Sequence, residues 1–442
     1  MLLTLSAVLW MHAATYTWDG GAGNGNWGTG GNWAAGGSPS STGGHDLIFA
    51  GTVNTNNTAN GGGWTVNSLA FNGTAGSFTL NGGDLALGSG GITNNSTGSQ
   101  TINNQITLSG NQTWNAASGA ITTTAYVNAN SKDLTLSGSS AVTVSGQLNS
   151  VGTLTLSGGG NRSFGNQVTA TTINAGSTGT NTFGNQINVG TLNVSAGTST
   201  FSTLAATTAI NVSGTASVNF SGAVNGGSGG ITLSSSGNIG FTGGINSGSL
   251  TLNGTGTTTL GGTGTMSTGA VVVNNGTLVL DHTGGAGINN SLTVNNGGTV
   301  VFAQNNQIPE WQTVTLNTGS TLHLGDTSQT FAGLVINGDS VIDFGTGDSQ
   351  LNITYNNITI ANGVTLTIQN WDASDGDVFA GANPGSNVVN IQYADSNGNI
   401  YATGTWGGGY VTPGTPVPEP ATYGFILLGG SAAFVFVRRR RT

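Results

Sequence analysis

Short strand-like segments recur along this chain at a nearly constant spacing. LTLSG occupies residues 134–138 and returns at 154–158, and FGNQ occupies 164–167 and returns at 183–186, so the spacings are 20 and 19 residues. Alternating apolar and small polar side chains predict strands, and a fixed period near 20 residues predicts stacked turns. Related segments begin at 106 (ITLSG), 210 (INVSG), 231 (ITLSS), 250 (LTLNG), 292 (LTVNN) and 314 (VTLNT).

This period fits one turn of a parallel β-helix, with Leu, Ile and Val pointing inward and Thr and Ser outward. The 79 glycines supply the left-handed backbone angles that tight corners need. The alternative fold is an array of antiparallel β-sandwiches, which is disfavoured because the units are too short to close two sheets. The sequence therefore predicts an all-β solenoid of roughly 16 turns, at about 20 residues a turn.

Charge is scarce in this chain, and stacking explains why. Only 5% of the residues are charged, against roughly 25% in ordinary soluble domains. In-register stacking would bring like charges to about 4.8 Å, at a cost of about 1 kcal/mol per neighbour even in water. Without Glu419 and Arg438–Arg441, the 15 acids and 6 bases become 14 acids and 2 bases, Lys132 and Arg162. Two cations cannot neutralise a phosphate backbone, so nucleic acid is excluded as a partner.

The absence of cysteine removes several kinds of chemistry together. The chain has no Cys, which excludes disulfides, thiolate-ligated zinc, a thiol nucleophile and a lipid anchor on an N-terminal cysteine. Stacked turns do not need cross-links, because each turn is stabilised by its neighbours.

The two ends of the sequence predict export. Residues 2–11 (LLTLSAVLWM) are apolar and precede small residues suited to a signal-peptidase cut, so 1–14 is predicted as a signal peptide. Its basic n-region is missing, which indicates a start upstream of Met1 or a degenerate signal. At the other end, 421–437 is a run of 17 uncharged residues, close to the shortest span of a hydrocarbon core of about 30 Å. Four terminal arginines favour a transmembrane helix with the body outside the inner membrane over a buried helix.

The C-terminal residues resemble the PEP-CTERM sorting signal of Gram-negative bacteria that make extracellular polysaccharide. The resemblance rests on the triplet before the apolar run and on the arginines after it, namely Pro418, Glu419, Pro420, Arg438, Arg439, Arg440 and Arg441. It implies that an exosortase-type membrane peptidase processes the tail near the triplet, after which the protein is released or re-attached. The same segment also carries an ice-binding label in family naming.

The body resembles proteins with autotransporter-associated β-strand repeats. The segments that carry this resemblance are TYTWDGGAGNGNWGTGGNW, DLIFAG, VNSLAFNGTAGSFTLNGGDLALGSGGI, QTWNAASG, TLHLGDTSQTFAGLVINGDSVIDFG and LTIQNW. The resemblance implies a right-handed parallel β-helix. An autotransporter ends in an outer-membrane barrel, whereas this chain carries the sorting tail, so a separate outer-membrane exit route is implied.

These observations predict the order of segments along the chain. The signal peptide is followed by a Trp/Gly-rich cap, where Trp18, Trp27 and Trp33 cover the first turn in preference to stacking on sugars. The full order is signal peptide 1–14, cap 15–45, β-helix 46–370, C-terminal β cap 371–410, linker 411–417 and sorting signal 418–442 with a helix at 421–437.

The sequence gives little support for any catalytic or metal-binding site. The matches to G-x-G-x-x-G at 23–28 and to G-x-S-x-G at 226–230 are expected by chance in a glycine-rich chain. The acids of 372–377 could bind calcium, but their spacing fails the EF-hand pattern and solvated loop carboxylates are favoured. Residues 395–399 predict a hairpin turn. The remaining candidates are scattered in sequence, namely Asp339, Asp343, Asp348, His12, His45, His282 and His323.

The sequence thus predicts an exported, non-catalytic surface or matrix protein, an adhesin-like rod without cofactor, metal or catalytic site. Its predicted partners are the exosortase, the inner membrane transiently, and extracellular polysaccharide. A polysaccharide-degrading β-helix enzyme is the alternative from another class, because this fold hosts both. Such an enzyme would need two carboxylates about 5 to 9.5 Å apart, as Asp339 with Asp343 or a cross-turn pair. An ice-binding face of aligned threonines is a further alternative, for which we expect no activity.

Overall fold

The computed structural model describes residues 13–34, 36–354 and 358–416. The chain divides into two compact units, Met1–Gly248 and Ser249–Thr442. The strand β23, Ile245–Leu252, contains the boundary between them. Each unit is a stack of parallel β turns, and the two hold about 16 turns of right-handed type. The predicted all-β parallel solenoid is confirmed.

Unit 1 consists of short strands joined by tight corners, with one 3₁₀ helix at Gly30–Asn32. Its strands are β1 Thr15–Trp18, β2 His45–Phe49, β3 Asn56–Ala59, β4 Trp64–Phe71, β5 Thr79–Gly82, β6 Leu85–Asn94, β7 Gln100–Ile102, β8 Ile106–Leu108, β9 Gln112–Ala116, β10 Ile121–Thr123, β11 Val127–Asn128, β12 Leu134–Ser137, β13 Val142–Val144, β14 Leu148–Leu156, β15 Arg162–Phe164, β16 Val168–Ala175, β17 Thr180–Val194, β18 Thr198–Val212, β19 Ser217–Phe220, β20 Val224–Gly227, β21 Ile231–Leu233 and β22 Ile239–Phe241.

Unit 2 continues the pattern and adds 3₁₀ helices at Ala373–Asp375 and Gly385–Asn390. Its strands are β24 Thr257–Gly262, β25 Met266–Val273, β26 Thr277–His282, β27 Leu292–Val294, β28 Thr299–Phe302, β29 Thr313–Leu316, β30 Thr321–His323, β31 Ser328–Phe331, β32 Gly333–Ile336, β33 Ser340–Asp343, β34 Gln350–Ile353, β35 Ile358–Ile360, β36 Leu366–Gln369, β37 Val378–Ala380, β38 Ile391–Ala394, β39 Ile400–Gly407 and β40 Tyr410–Pro416.

Register follows the sequence repeats. Leu134 of the first LTLSG pairs with Leu154 of the second, and Phe164 of the first FGNQ pairs with Phe183 of the second, in parallel. Alternate residues point inward, so Leu134 and Leu136 are fully buried while Thr135 between them is partly exposed. The repeats therefore mark equivalent positions on successive turns.

A column of stacked phenylalanines fills part of the interior of unit 1. Successive ring centroids lie 4.6, 4.9, 5.4 and 4.7 Å apart, close to the spacing of adjacent strands. The column consists of Phe164, Phe183, Phe201, Phe220 and Phe241. Each ring covers the ring of the turn before it, so burial is complete only when turns stack in register.

The glycine that ends LTLSG is required by the corner it forms. Gly138 has a φ of 99°, and a Cβ at this position would lie 2.2 Å from the carbonyl oxygen of Ala116. A side chain is excluded both by the left-handed backbone and by the turn beneath it.

The first tryptophans are interior residues. Trp18, Trp27 and Trp33 are 0%, 0% and 1% exposed, and Trp33 packs edge-on against both of the others. The strand β1 pairs in parallel with β2. Side chains this buried cannot stack on a sugar, and the cap assigned to 15–45 from the sequence stays a prediction.

Antiparallel pairing appears at the end of unit 2. The pairs β38–β39 and β39–β40 are antiparallel, and the loop between β38 and β39 is the hairpin turn predicted at 395–399. Asp395 donates its backbone N–H to the Asn399 carbonyl oxygen across this turn at 3.1 Å. The domain boundaries proposed from the sequence stay predictions.

Candidate functional site

Three strand ends meet at one edge of unit 2. The strands β33, β36 and β38 stack in parallel, and their last residues, Asp343, Gln369 and Ala394, are register partners. Because the carboxyl ends of parallel strands lie at the same edge of a sheet, the segments after them gather there. Residues 344–349, 370–377 and 395–399 are distant in sequence and adjacent in space.

These segments enclose an open groove of about 500 Å³, a volume within the usual range of ligand sites. We call it the acidic-aromatic groove. Its lining is Gly345, Thr346, Asn370, Trp371, Asp372, Asp375, Ala394, Asp395, Ser396 and Tyr401. The predicted solvated acids of 372–377 and the predicted hairpin turn thus form two walls of one surface feature.

Two carboxylates of the groove are fixed by local hydrogen bonds. Asp395 accepts from the backbone N–H groups of Asn397 and Asn399 at 2.9 and 2.8 Å, and from the Asn399 side chain at 2.9 Å. Asp372 accepts from the hydroxyl and backbone N–H of Ser374 at 2.7 and 2.8 Å. The Asn399 and Ser374 side chains, followed by these N–H groups, lower the pKa of Asp395 and Asp372 respectively. Both side chains are therefore charged at neutral pH.

Asp377 lies behind the groove and holds its loop in place. It is 6% exposed, and its two oxygens accept from the backbone N–H groups of Ser349 and Asp372 at 2.9 and 2.8 Å. Burial raises the pKa of Asp377, with smaller contributions from the charges of Asp375 and Asp372, against the lowering effect of the two N–H donors. The role of this carboxyl is to tie residues 372–377 to the preceding turn.

Three aromatic side chains pack against one another at the groove, namely Trp371, Tyr393 and Tyr401. Tyr393 is fully buried, donates to the Val411 carbonyl oxygen at 3.0 Å, and packs edge-on against Trp371 at 5.5 Å. Tyr401 is 38% exposed, and its hydroxyl donates to the Trp371 carbonyl oxygen at 3.3 Å. Burial, followed by the charges of Asp372 and Asp377, raises the pKa of Tyr401. Tyr401 is therefore uncharged at neutral pH, and its partly exposed ring lies in the same groove lining as Asp372, Asp375 and Asp395.

Asp343 links three successive turns next to the groove. One oxygen lies 2.8 Å from Nδ1 of His323, and the other accepts from the Asn370 side chain at 2.7 Å and the Gly345 N–H at 3.0 Å. The bond to Gly345 stabilises the turn that follows β33. The contact with His323 was not expected, because the two residues are 20 positions apart and meet only once the register is known.

Of the other candidate residues, Asp348 lies beside the loop 372–377, since a Cβ on Gly376 would lie 2.9 Å from its carboxylate oxygen, whereas Asp339 lies at the opposite end of β33 from Asp343. Asp339 accepts from the backbone N–H of Thr365 at 2.8 Å and precedes β33, whereas Asp343 ends that strand. Asp339 and Asp343 are four positions apart along extended backbone, which separates their Cα atoms by roughly 13 Å. Within residues 13–34, 36–354 and 358–416, no group of three or more His, Cys, Asp or Glu could hold a metal ion.

The two cations of the body differ in exposure. Arg162 is 0% exposed and occupies an inward position of β15, so it cannot contact a ligand, whereas Lys132 is partly exposed.

The two glycine-motif matches lie in ordinary parts of the fold. The G-x-G-x-x-G match at 23–28 contains the buried Trp27 and leads into the short 3₁₀ helix Gly30–Asn32. The match at 226–230 runs from the end of β20 to the residue before β21. Neither segment has the strand–turn–helix context of its motif.

Hydroxyl side chains form an in-register column on the outside of unit 1. The register partners are Thr79, Thr101, Thr122, Thr143, Ser163, Thr182 and Thr200. Beside it, Thr180, Thr198 and Ser217 form a shorter column. These hydroxyl side chains are therefore aligned on successive turns, and the expected absence of ice binding stays a prediction, to be checked by thermal hysteresis.

The predicted sorting residues lie outside the described part of the chain. Pro418, Glu419, Pro420 and Arg438–Arg441 fall there, as do residues 1–12 of the predicted signal peptide and the predicted helix 421–437. Within the described ranges, no helix has both the length and the apolar character to cross a bilayer.

Comparison with known proteins identifies the C-terminal segment. Residues 416–441 match the PEP-CTERM protein-sorting motif. The chain carries a PEP-CTERM tail. This motif implies export and sorting to the cell surface through exosortase processing. No curated protein and no solved structure gives a significant match to the chain, and the autotransporter-associated repeats stay a prediction.

Proposed function

We propose that this protein is an exported, non-catalytic component of the cell surface or extracellular matrix, which an exosortase processes at its PEP-CTERM tail. The observation that carries the proposal is the match of residues 416–441 to the sorting motif. A stack of neutral β turns displayed outside the cell suits an adhesin-like role, because its outer columns of Thr, Ser and Asn present many hydrogen-bonding groups and little charge.

The placement of the cations supports a non-catalytic role over a polysaccharide lyase. Lyase chemistry on acidic sugars needs a cation or metal to stabilise developing carboxylate charge and a base to accept the proton. Arg162 is buried among backbone carbonyl groups, which leaves Lys132, in a turn of unit 1, as the accessible lysine or arginine of the described residues. The acidic-aromatic groove lies in unit 2, and the described part of that unit has neither lysine nor arginine.

A glycosidase is the second candidate, because the groove places three aspartates near aromatic rings. A glycosidase needs a carboxylic acid with a raised pKa to protonate the leaving oxygen. In the groove, hydrogen bonds lower the pKa of Asp372 and Asp395. Asp377 has a raised pKa, but it is buried with both oxygens occupied by backbone N–H groups. These environments favour binding over turnover.

The sorting proposal is tested by replacing the motif in the full chain. The double variant Pro418→Ala/Pro420→Ala is expected to stay unprocessed and membrane-associated, because exosortase recognition depends on the triplet. Pro413→Ala, a proline of β40 outside the matched segment, is the matched control and should be processed normally. Mass and distribution between membrane and medium are measured in the producing cells. Unchanged processing of the double variant would refute the proposal.

A further inference from the structure

We propose that the acidic-aromatic groove binds a neutral glycan. The proposal deepens the surface role given above by naming a ligand class, but it rests on different residues. The groove combines an exposed aromatic ring, fixed carboxylates and small hydroxyl side chains in about 500 Å³. A sugar requires this combination, since it has apolar C–H faces and hydroxyl edges.

The apolar part of the groove is provided by Tyr401. Its ring is 38% exposed and packs against Tyr393 at a centroid distance of 6.4 Å, and its hydroxyl donates to the Trp371 carbonyl oxygen at 3.3 Å. Behind it, the buried Tyr393 contacts both Tyr401 and Trp371. A ring that is already packed against a buried neighbour and is partly exposed can stack on the face of a pyranose without rearranging.

The polar part of the groove consists of hydrogen-bond acceptors already in position. Asp395 and Asp372 are oriented by Asn399 and Ser374, and each carboxylate has lone pairs left to accept sugar hydroxyls. Hydrogen bonds to a charged acceptor are roughly twice as strong as neutral ones. The hydroxyls of Thr346 and Ser396 in the same lining can both donate and accept.

Charge selects the class of glycan. Asp372, Asp375 and Asp395 all line the groove, and within 249–354 and 358–416 there is no lysine or arginine to offset them. Like charges in the groove disfavour uronate-containing or sulfated polysaccharides. The proposal is for direct binding without a bridging metal, since no group of three or more His, Cys, Asp or Glu among the described residues could hold one. The ligand class that remains is an uncharged polysaccharide.

The test uses the exported protein purified from producing cells and run through native gels that contain a polysaccharide. The probes are a soluble β-1,3-glucan, a galactomannan and dextran, with alginate as the anionic comparison. Retardation by at least one neutral probe is expected, with weaker or no retardation by alginate and no change in EDTA. Failure of all three neutral probes, equal retardation by alginate, or loss of retardation in EDTA would each overturn the proposal.

Variants locate the binding. Tyr401→Ala should weaken retardation by about tenfold, which corresponds to about 1.4 kcal/mol, whereas Tyr401→Phe keeps the ring and should bind within about twofold. The matched control is Trp311→Ala, which removes an aromatic that is 67% exposed elsewhere in unit 2. Equal loss in Tyr401→Ala and Trp311→Ala, or no loss in either, contradicts the assignment. Sorting is read in cells and binding on purified protein, so either proposal can fail while the other stands.

Discussion

Arg162 is a guanidinium enclosed by backbone carbonyl groups rather than by acids. Its five N–H groups donate to the carbonyl oxygens of Ser157 at 2.6 Å, Ser140 at 2.9 Å, Gly138 at 3.0 Å, Asn161 at 3.1 Å and Leu136 at 3.4 Å. Desolvation lowers the pKa of Arg162, but a guanidinium stays protonated because its ordinary pKa exceeds 12. Its donors thus serve five carbonyl groups on two successive turns, and those of Leu136, Gly138 and Asn161 also accept a backbone N–H, from Ser157, Gly160 and Val142 respectively.

Removal of this side chain is expected to destabilise unit 1 strongly. Arg162→Ala removes the donor from the carbonyl groups of Ser140 and Ser157 and leaves a cavity at a fully buried position, so a loss of about 2 to 5 kcal/mol in the free energy of unfolding is expected. Chemical denaturation measures it. Lys132→Ala, at the partly exposed cation, is the control and should change stability by less than about 1 kcal/mol. A similar small effect for both variants would show that the carbonyl groups find other partners.

Neither the buried position of Arg162 nor the groove could be predicted from residue identity alone. The sequence indicated that arginine is rare, but an inward position for a charged residue contradicts the usual burial pattern. For Asp372 and Asp395, the local turns were predictable from the Asp-x-Ser and Asp-x-Asn spacings. Their proximity was not, because it depends on the register of β36 and β38.

At the scale of the element, asparagine side chains link successive turns of unit 2. The Asn274 amide donates to Asn253 at 2.7 Å, Asn295 donates to Asn274 at 2.6 Å, and Asn317 donates to Asn295 at 2.5 Å. A shorter ladder joins Asn174, Asn193 and Asn211 in unit 1. Each amide both donates and accepts along the stacking direction, which an ionised Asp at the same position cannot do. We call these the asparagine ladders.

A substitution within the ladder of unit 2 is expected to destabilise the protein more than a substitution at the exposed neighbouring residue. Asn295→Ala removes two side-chain hydrogen bonds, so a loss of about 1 to 3 kcal/mol is expected. Asn296→Ala, at the exposed next residue, should stay within about 0.5 kcal/mol. Thermal melting of the two variants side by side measures the difference. Equal midpoints would mean that solvent replaces the ladder bonds at no cost.

Strand positions were predictable from sequence to a large extent, because the segments at 106, 134, 154 and 292 all coincide with observed strands. The ladders were not predicted, since asparagine is common throughout the chain and composition does not distinguish a stacked amide from a solvated one. Only the register places Asn274 directly beneath Asn295.

At the scale of the whole molecule, the turn is the unit from which the fold is built. Each turn of a solenoid contacts its neighbours in the stack, so stability is close to a sum of turn and interface terms. The two FGNQ segments mark the same corner on adjacent turns, since Phe164 and Phe183 are register partners and their rings stack at 4.6 Å. Sequence spacing predicted this periodicity because 19 residues complete one turn here.

Deletion of one complete turn is therefore expected to preserve the fold. Removing 165–183 joins Phe164 to Gly184 and regenerates FGNQ at the junction, so Phe164 would stack directly on Phe201 and the inward and outward positions would be kept. We expect a cooperative melt and a β-rich circular dichroism spectrum close to those of the full chain. Removing 165–174 instead deletes about half a turn, joins the last residue of β15, Phe164, to the last residue of β16, Ala175, and should abolish folding and export. If both deletions were tolerated, or if the full-turn deletion failed as completely as the half-turn one, the turns would not be the independent structural units that their register indicates.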